Sequence, residues 1–314
     1  MIVDCYTHVW DGDAQLGPHD WERARPPLPT ACGYTPAGAA RHRAAAEPAR
    51  TTLVVGFKSR YLHVDIPNAS IAAYVGAHPD RLIGFAGLDP TEPREALRDL
   101  RIAQEELKLS GLAVAPAAQD FHPTDSRAMR IYAEAAERKV PLFFHSGLAV
   151  LPQTKLEYAR PMLLDEVARE LPDLRIMVAH LGYPWVQETI ALLAKHPHVF
   201  AELSWLLDNP WETYQALLSA CQYGVIDKIC FGSGFPCSTP AQALEQLFSI
   251  PHLVHGTNLP PVPREALRGI VERDVAAALG LPRPAGKPPA AAPSSASDDE
   301  DRETADGPDS LLNK

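Results

Sequence analysis

The sequence predicts an α/β protein of the TIM (β/α)8 barrel class. Eight short apolar runs resemble buried parallel strands, because strands covered on both faces are nearly continuous in apolar residues. Amphipathic stretches separate the runs, and strand–helix alternation of this length is typical of the barrel. The predicted strands are 2–8, 52–57, 82–88, 112–115, 140–145, 174–180, 199–204 and 228–233. A doubly wound parallel sheet would alternate in the same way and is the alternative.

Two of the helical stretches carry specific signals. Leu97, Leu100, Ala103 and Leu107 form an apolar stripe at helical spacing, with charged residues on the opposite face. A second helix is predicted to begin at 239–242, where Thr-Pro-Ala-Gln combines a capping box with proline at the first helical position. The first stretch lies between the third and fourth predicted strands and the second follows the eighth, as the barrel requires.

Composition divides the chain into a barrel and a tail. We assign residues 1–281 to the barrel. Residues 282–314 are dominated by Pro, Ala, Ser, Asp and Glu, and this segment is predicted to be a disordered acidic tail. A Pro/Ala-rich loop insertion with one short helix is predicted at about 11–50, directly after the first strand.

Charge and apolar content limit the classes of partner. The formal net charge of -10 argues against a nucleic-acid partner, which needs a basic face. No stretch approaches the ~20 apolar residues of a membrane span, and the N-terminus lacks the pattern of a signal peptide. The 5 cysteines are scattered without C-x-x-C spacing, which is typical of a reducing compartment. We therefore expect a cytoplasmic protein that binds small molecules, with formation of a homo-oligomer left open.

Three histidines stand at the carboxyl ends of predicted strands. His8 ends the first strand, His145 the fifth and His180 the sixth. In a TIM barrel these strand ends surround the active site, and three imidazoles with one open water position can form a catalytic zinc site. A single histidine at a strand end is more often a hydrogen-bonded loop residue. The sequence thus predicts one divalent metal ion, preferably zinc, at His8, His145 and His180, with no metal as the alternative.

Five segments of the chain match motifs of one family. They are Asp4-Cys-Tyr-Thr-His8, in the place of D-x-H-x-H, His78 to Pro90, Pro141 to Gly147, Pro172 to Trp185 and Ile229 to Pro236. Together they resemble the amidohydrolase-related (amidohydrolase 2) group of the metal-dependent amidohydrolase superfamily, over residues 2–281. This resemblance implies a TIM barrel, and an activity as a hydrolase or a non-oxidative decarboxylase of a small carboxylated substrate.

Two positions depart from the pattern of that family. Its metal ligands are two histidines on strand one, the strand-five histidine and a strand-eight aspartate, while the strand-six histidine assists catalysis. Here the first strand-one histidine is Tyr6, and the aspartate is Gly234. The resemblance therefore implies a degenerate metal site with His8 and His145 as ligands and His180 as the catalytic residue. Losing a general base commonly costs ~10²–10⁴ in rate, so activity itself stays open.

Four further side chains are candidates for substrate binding: Tyr6, Arg60, Glu202 and Trp185. The ring of Tyr6 is expected to fill the space of a lost ligand. Arg60 could hold a substrate carboxylate, although a solvated polar loop is the simpler interpretation. Glu202 could offer a carboxylate to the site, and Trp185 could form the wall of a pocket or pack at a helix start. On the first strand, Tyr6 and His8 are expected to share one face with Asp4, and Cys5 to point away.

Three functions stay open on these grounds. The first is a metal-dependent hydrolase or decarboxylase that uses His8, His145 and His180. The second is a catalytically silent relative that binds a small molecule. The third is a structural or partner subunit.

Overall fold

Eight parallel strands form a nearly closed barrel in the computed structural model, which describes residues 1–18, 37–147 and 151–283. The barrel strands are β1 (Val3–Thr7), β2 (Thr51–Val55), β5 (Leu82–Gly87), β6 (Gly111–Val114), β7 (Leu142–Phe144), β8 (Ile176–Val178), β9 (Val199–Glu202) and β10 (Ile229–Cys230), while β3 (Lys58–Ser59) and β4 (Val64–Asp65) lie outside the barrel sheet. The sheet order β1-β2-β5-β6-β7-β8-β9-β10 follows the chain, and each pair of neighbours is parallel. The predicted TIM barrel is confirmed and the doubly wound alternative is wrong, because the strand order never reverses. Strands β3 and β4 form a short antiparallel hairpin that the sequence analysis missed.

Helices cover the outside of the barrel. They are α1 (Ala39–Ala45), α2 (Asn68–Gly76), α3 (Pro93–Glu105), α4 (Pro116–Gln119), α5 (Ser126–Glu137), α6 (Leu164–Glu170), α7 (Val186–Lys195), α8 (Pro210–Gln222), α9 (Pro240–Ser249), α10 (Arg264–Val271) and α11 (Val275–Leu279). The apolar stripe buries Leu100 and Ala103 on α3, whereas Leu107 lies beyond the end of that helix. The predicted capping box is present, since the Thr239 hydroxyl and the Gln242 side chain bond each other's backbone N–H groups at the start of α9.

The barrel closes between β1 and the segment that follows β10. The Cys5 N–H donates to the Phe231 carbonyl at 2.9 Å, and the His8 N–H donates to the Phe235 carbonyl at 3.0 Å. The Gly234 N–H donates to the Tyr6 carbonyl, also at 3.0 Å. These bonds place the two departures from the family pattern, Tyr6 and Gly234, side by side.

A bulge in β1 changes which side chains face the barrel interior. The register of β1 on β2 shifts between Asp4 and Thr7. An extra residue on one strand rotates the side chains that follow it. As a result, Cys5 packs in the same buried cluster as Tyr6 and Phe143. The expectation that Cys5 points away from the face of Tyr6 is therefore wrong, because strict alternation does not continue through a bulge.

Only part of the predicted insertion and tail can be compared with the structure. Helix α1 is the short helix expected in the loop at about 11–50. Residues 19–36 of that loop, and the predicted tail from 284 onward, lie outside the described residues.

Within the described ranges, no helix has the length and apolar character needed to cross a membrane. Among the described residues, Cys5, Cys221 and Cys230 are free.

His42 joins α1 to the barrel beside the candidate site. Its Nδ1 lies 2.7 Å from the Tyr74 hydroxyl, and its Nε2 lies 3.0 Å from the Thr7 hydroxyl. The Thr7 hydroxyl donates to the Leu53 carbonyl at 2.7 Å, so His42 Nε2 carries the hydrogen that Thr7 accepts. Burial lowers the pKa of His42 to about 4, which keeps the imidazole neutral at neutral pH.

His42 should therefore make stability depend on pH. Because the folded pKa lies below the ordinary value of 6.5, the unfolded chain binds more protons between these two values, and falling pH favours unfolding. We expect the contribution of His42 to the free energy of unfolding to fall by ~3 kcal/mol when the pH is lowered from ~7 to ~4. Urea unfolding of wild type and His42→Gln at both pH values measures it as the difference between the two proteins. Equal pH dependence in both would contradict the prediction.

Candidate functional site at the barrel mouth

Tyr6 lies among the three predicted site histidines at the carboxyl end of the barrel. Its ring centroid is 4.7 Å from that of His8, 4.9 Å from that of His180 and 6.0 Å from that of His145. The rings of His8 and His180 meet it edge to face, whereas that of His145 is tilted. Tyr6 is 2% exposed, while His8 and His145 are half-buried. The structure thus brings together the three histidines expected from the strand ends, with the Tyr6 ring packed beside them.

The histidines hydrogen-bond to one another and to the backbone. His180 Nε2 lies 3.1 Å from His145 Nε2, and His180 Nδ1 lies 3.0 Å from the carbonyl and 2.8 Å from the hydroxyl of Ser204. His8 Nδ1 lies 2.7 Å from the Val55 carbonyl, so it carries a hydrogen.

All three imidazoles are neutral at neutral pH. Burial lowers the pKa values of His8 and His145 to about 4 each, and the proximity of His8 adds to the effect on His145. Burial lowers the pKa of His180 well below its ordinary value, and the proximity of His145 lowers it further.

Glu202 lies directly beneath His180 in the barrel interior. Its side chain is fully buried. Oε1 accepts from the His180 backbone N–H at 2.7 Å and from the Ser204 hydroxyl at 2.9 Å, while Oε2 accepts from the Ser204 backbone N–H at 2.7 Å. Burial raises the pKa of Glu202 to about 7. Gly232 makes room for this carboxylate, because a Cβ there would lie 2.0 Å from Glu202 Oε2.

His180 projects from a turn with unusual backbone angles. His180 has φ 54° and ψ 28°, and Leu181 has φ 46° and ψ 27°, so both residues have the left-handed backbone conformation. Non-glycine residues in this region cost of order 1–3 kcal/mol each and persist where the surroundings hold them, often at functional sites. The hydrogen bond from the His180 N–H to Glu202 is one such constraint.

Trp205 occupies the space next to Gly234. The indole stacks on the His180 ring, with centroids 4.3 Å apart and planes 2° apart. A Cβ on Gly234 would lie 2.9 Å from Trp205 Cδ1 and 3.2 Å from the Ser204 Cβ. Among the described residues, the buried Nε1 of Trp205 has no hydrogen-bond partner. A side chain at the family's aspartate position would therefore collide with Trp205.

Asp4 ties Tyr6 to the segment that carries Gly234. Its carboxylate accepts from the Ser233 hydroxyl at 2.6 Å, from the Ser233 N–H at 2.8 Å and from the Tyr6 N–H at 3.3 Å. The side chain is fully buried, and burial raises the pKa of Asp4 to about 6 in spite of these hydrogen bonds. Asp4 therefore holds the Tyr6 backbone and Ser233 together.

The other candidates for substrate binding have different surroundings. The guanidinium of Arg60 is 69% exposed and pairs with Glu92, while its backbone N–H donates to Asp89. Trp185 is half-buried and directly precedes α7, where its backbone N–H donates to the Gly182 carbonyl. The substrate-binding roles of Arg60, Trp185, Tyr6 and Glu202 stay predictions.

The side chains, as they stand, do not form a metal-binding group. Within residues 1–18, 37–147 and 151–283, no three His, Cys, Asp or Glu side chains are arranged to hold a metal ion. Burial, together with the charge of Glu202, raises the pKa of Tyr6 well above its ordinary value, which disfavours the phenolate form. His145 and His180 direct their Nε2 atoms at each other. The three-histidine metal site therefore stays a prediction that this arrangement does not support.

Sequence reasoning missed Trp205 and Ser204 as members of the site. Ser204 ends the seventh predicted strand and Trp205 follows it directly. The rule that strand ends form the site would have included both residues had it been applied to every strand. Contact with His180, by contrast, has no signature in the sequence.

Comparison with known proteins agrees with this architecture. The Amidohydrolase family model matches residues 3–282. A TIM-barrel protein from Bordetella bronchiseptica is 21% identical with a TM-score of 0.69, over 89% of this chain and 99% of that one. A probable 2-pyrone-4,6-dicarboxylic acid hydrolase from Acinetobacter baumannii, with citric acid bound, is 15% identical with a TM-score of 0.60. The match covers 89% of this chain and 99% of that one.

A dihydroxybenzoic acid decarboxylase from Polaromonas sp. JS666, with manganese and the inhibitor 2-nitroresorcinol, is also similar. It is 15% identical with a TM-score of 0.60, over 89% of this chain and 96% of that one. No curated protein sequence gives a significant match. Because the family model spans nearly all of the barrel, the chain belongs to the amidohydrolase family.

Proposed function

We propose that this chain is a metal-free member of the amidohydrolase family that binds a small molecule at the barrel mouth. The observation that supports this proposal most directly is the buried ring of Tyr6, which lies within 4.7 to 6.0 Å of all three histidine rings, measured between centroids. A metal ion shared by these imidazoles would need the space between them, because Zn–N bonds are only ~2.0–2.1 Å long.

The space at Gly234 supports the same proposal. In the family the carboxylate ligand on strand eight would stand there, but the Trp205 indole lies within contact distance of any Cβ at that position. In this proposal the two ligand positions of the family pattern are replaced by aromatic side chains, Tyr6 and Trp205, which both pack against His180. Half-buried His8 and His145 leave imidazole surface for a ligand at the mouth.

A second candidate is a metal-dependent decarboxylase or hydrolase of a small carboxylated substrate. One observation favours it: the Nε2 atoms of His145 and His180 are 3.1 Å apart. Two imidazoles bound to one ion at ~2.0–2.1 Å would have a similar separation. In this candidate His8, His145 and His180 would hold the ion, preferably zinc, and His180 would also move protons. The manganese in the Polaromonas structure is consistent with this chemistry.

Metal content distinguishes the two candidates. Purified wild type, incubated with excess zinc or manganese and then desalted, should retain no stoichiometric metal by inductively coupled plasma mass spectrometry. Tyr6→His restores a ligand of the family pattern and should gain zinc under the same treatment. Stoichiometric metal in wild type that is lost in His145→Ala, but kept in the control His255→Ala on the exposed surface, would overturn the proposal and favour the second candidate.

Ligand binding is tested on protein that has first been treated with EDTA to remove any metal. Citrate and 2-nitroresorcinol are suitable first probes, since they are the molecules bound by two structural neighbours. A bound probe at ~100 times its Kd should stabilise the protein by ~2.7 kcal/mol without any metal. A stabilisation that appears only after metal is added would contradict metal-free binding.

A further inference from the structure

We propose that Glu202 is a positioning residue that fixes the backbone turn and the ring tautomer of His180. Through His180 it also determines which ring nitrogen of His145 donates a hydrogen bond and which accepts one. The inference deepens the proposed function, and its statement about the ligand rests on that function. Glu202 contacts His180 and Ser204 from within the barrel and is fully buried, so it acts on a ligand at the mouth through these residues.

The backbone part of the proposal follows from the strained turn. Two consecutive left-handed residues, His180 and Leu181, are costly, and a conformation of this kind needs an external constraint. Glu202 Oε1 accepts from the His180 N–H at 2.7 Å, which is a short bond between a backbone donor and a carboxyl oxygen. Through Oε2 the same carboxyl group holds the Ser204 N–H, so one side chain ties the turn after β8 to the end of β9.

The ring part follows from donor and acceptor roles. The Ser204 carbonyl can only accept, so the His180 Nδ1 that lies 3.0 Å away must carry a hydrogen. The Ser204 hydroxyl donates to Glu202 Oε1, which leaves its oxygen to accept from the same Nδ1 at 2.8 Å. Neutral His180 then has an unprotonated Nε2, which acts as an acceptor.

His145 takes the complementary role. Its Nε2 lies 3.1 Å from the His180 Nε2, so it must be the donor of that hydrogen bond. A neutral imidazole protonated at Nε2 has a lone pair at Nδ1. On this proposal Nδ1 is the only nitrogen of His145 that can accept a hydrogen bond, so the site should favour a small molecule with a hydroxyl or amide N–H group over one that only accepts.

Two variants disturb Glu202 in different ways. Gly232→Ala leaves the carboxyl group chemically unchanged, but its methyl group would lie 2.0 Å from Oε2 and 3.0 Å from Cδ, so the carboxylate must shift. Glu202→Gln keeps the shape and gives up one acceptor oxygen. Gly269→Ala on α10 is the matched control, since the nearest atom to its Cβ is 3.8 Å away.

Long-range 1H–15N NMR of the histidine rings, assigned with His145→Gln and His180→Gln, tests the proposal. Wild type and Gly269→Ala should show His180 protonated at Nδ1 alone and His145 at Nε2 alone. In Gly232→Ala and Glu202→Gln these 15N resonances should shift toward tautomer-averaged positions. A wild-type His180 protonated at Nε2 would overturn the proposal even if a variant failed to fold, and so would wild-type resonances in both variants.

Metal content on the same samples separates this inference from the proposed function. Bound metal in wild type would overturn metal-free binding and with it the statement about the ligand. A Glu202-dependent Nδ1 hydrogen on His180 would still support the positioning role in that case.

Discussion

Replacing Tyr6 with alanine is expected to lower the free energy of unfolding by about 3–5 kcal/mol. The side chain is 2% exposed, and its ring packs against Phe143 at a centroid distance of 5.2 Å as well as against the three histidines. Truncation would remove these contacts and leave a cavity beside polar imidazoles. Urea unfolding followed by far-UV circular dichroism measures the loss.

The matched control is Tyr223→Ala at the end of α8. Tyr223 is 62% exposed, and substitutions at such positions usually change stability by less than ~0.5 kcal/mol. Tyr6→Phe should lie close to wild type, because it keeps the packed ring. If Tyr6→Ala lost no more stability than Tyr223→Ala, Tyr6 would not be the residue that holds the three imidazoles together.

Restoring the family's aspartate by Gly234→Asp is expected to destabilise the protein by about 2–6 kcal/mol. Two costs combine there. Gly234 has φ +75°, a conformation that L side chains rarely adopt, and its Cβ would lie 2.9 Å from Trp205 Cδ1. Thermal or urea unfolding of the variant measures the sum, and no gain in zinc binding is expected while Trp205 keeps its position.

Gly224→Asp separates the two costs. Gly224 has φ +69° with no atom within 4 Å of an added Cβ, so this variant carries the backbone strain without the collision. Gly234→Asp should be clearly less stable than Gly224→Asp. Gly234→Asp should also cost less in a Trp205→Ala background than in wild type, because the atoms that the new side chain meets are then absent. Equal stability of the two glycine variants would show that Trp205 moves aside at little cost.

Much of the fold could be predicted because its signals are local. Buried parallel strands need nearly continuous apolar runs, so β1 and the other seven barrel strands stood out in the sequence. The N-terminal cap of α9 could be predicted from Thr239 and Gln242, because these two residues interact within one helical turn. The hairpin of β3 and β4 was missed because each of its strands has only 2 residues, too short for a periodic pattern.

The candidate site could be predicted only in part. Strand ends identified His8, His145 and His180, since a parallel barrel gathers these ends at one mouth. The bulge in β1 was not predictable, because it depends on the pairing register with β2. Glu202 was expected near the site, but its partners are Ser204 and the His180 backbone, which lies 22 residues away in the chain.

By itself the sequence determined the barrel, the family and the identities of the groups at its mouth. Apolar periodicity and strand-end residues are properties of neighbouring positions, so they can be recognised in a single sequence. Only the tertiary structure decided how those groups meet: Tyr6 packs against the imidazoles, His145 and His180 share a hydrogen bond, and Trp205 takes the space beside Gly234. These relations depend on the closure of the barrel between β1 and β10 and on the left-handed turn at His180. Both bring together residues that no local pattern connects.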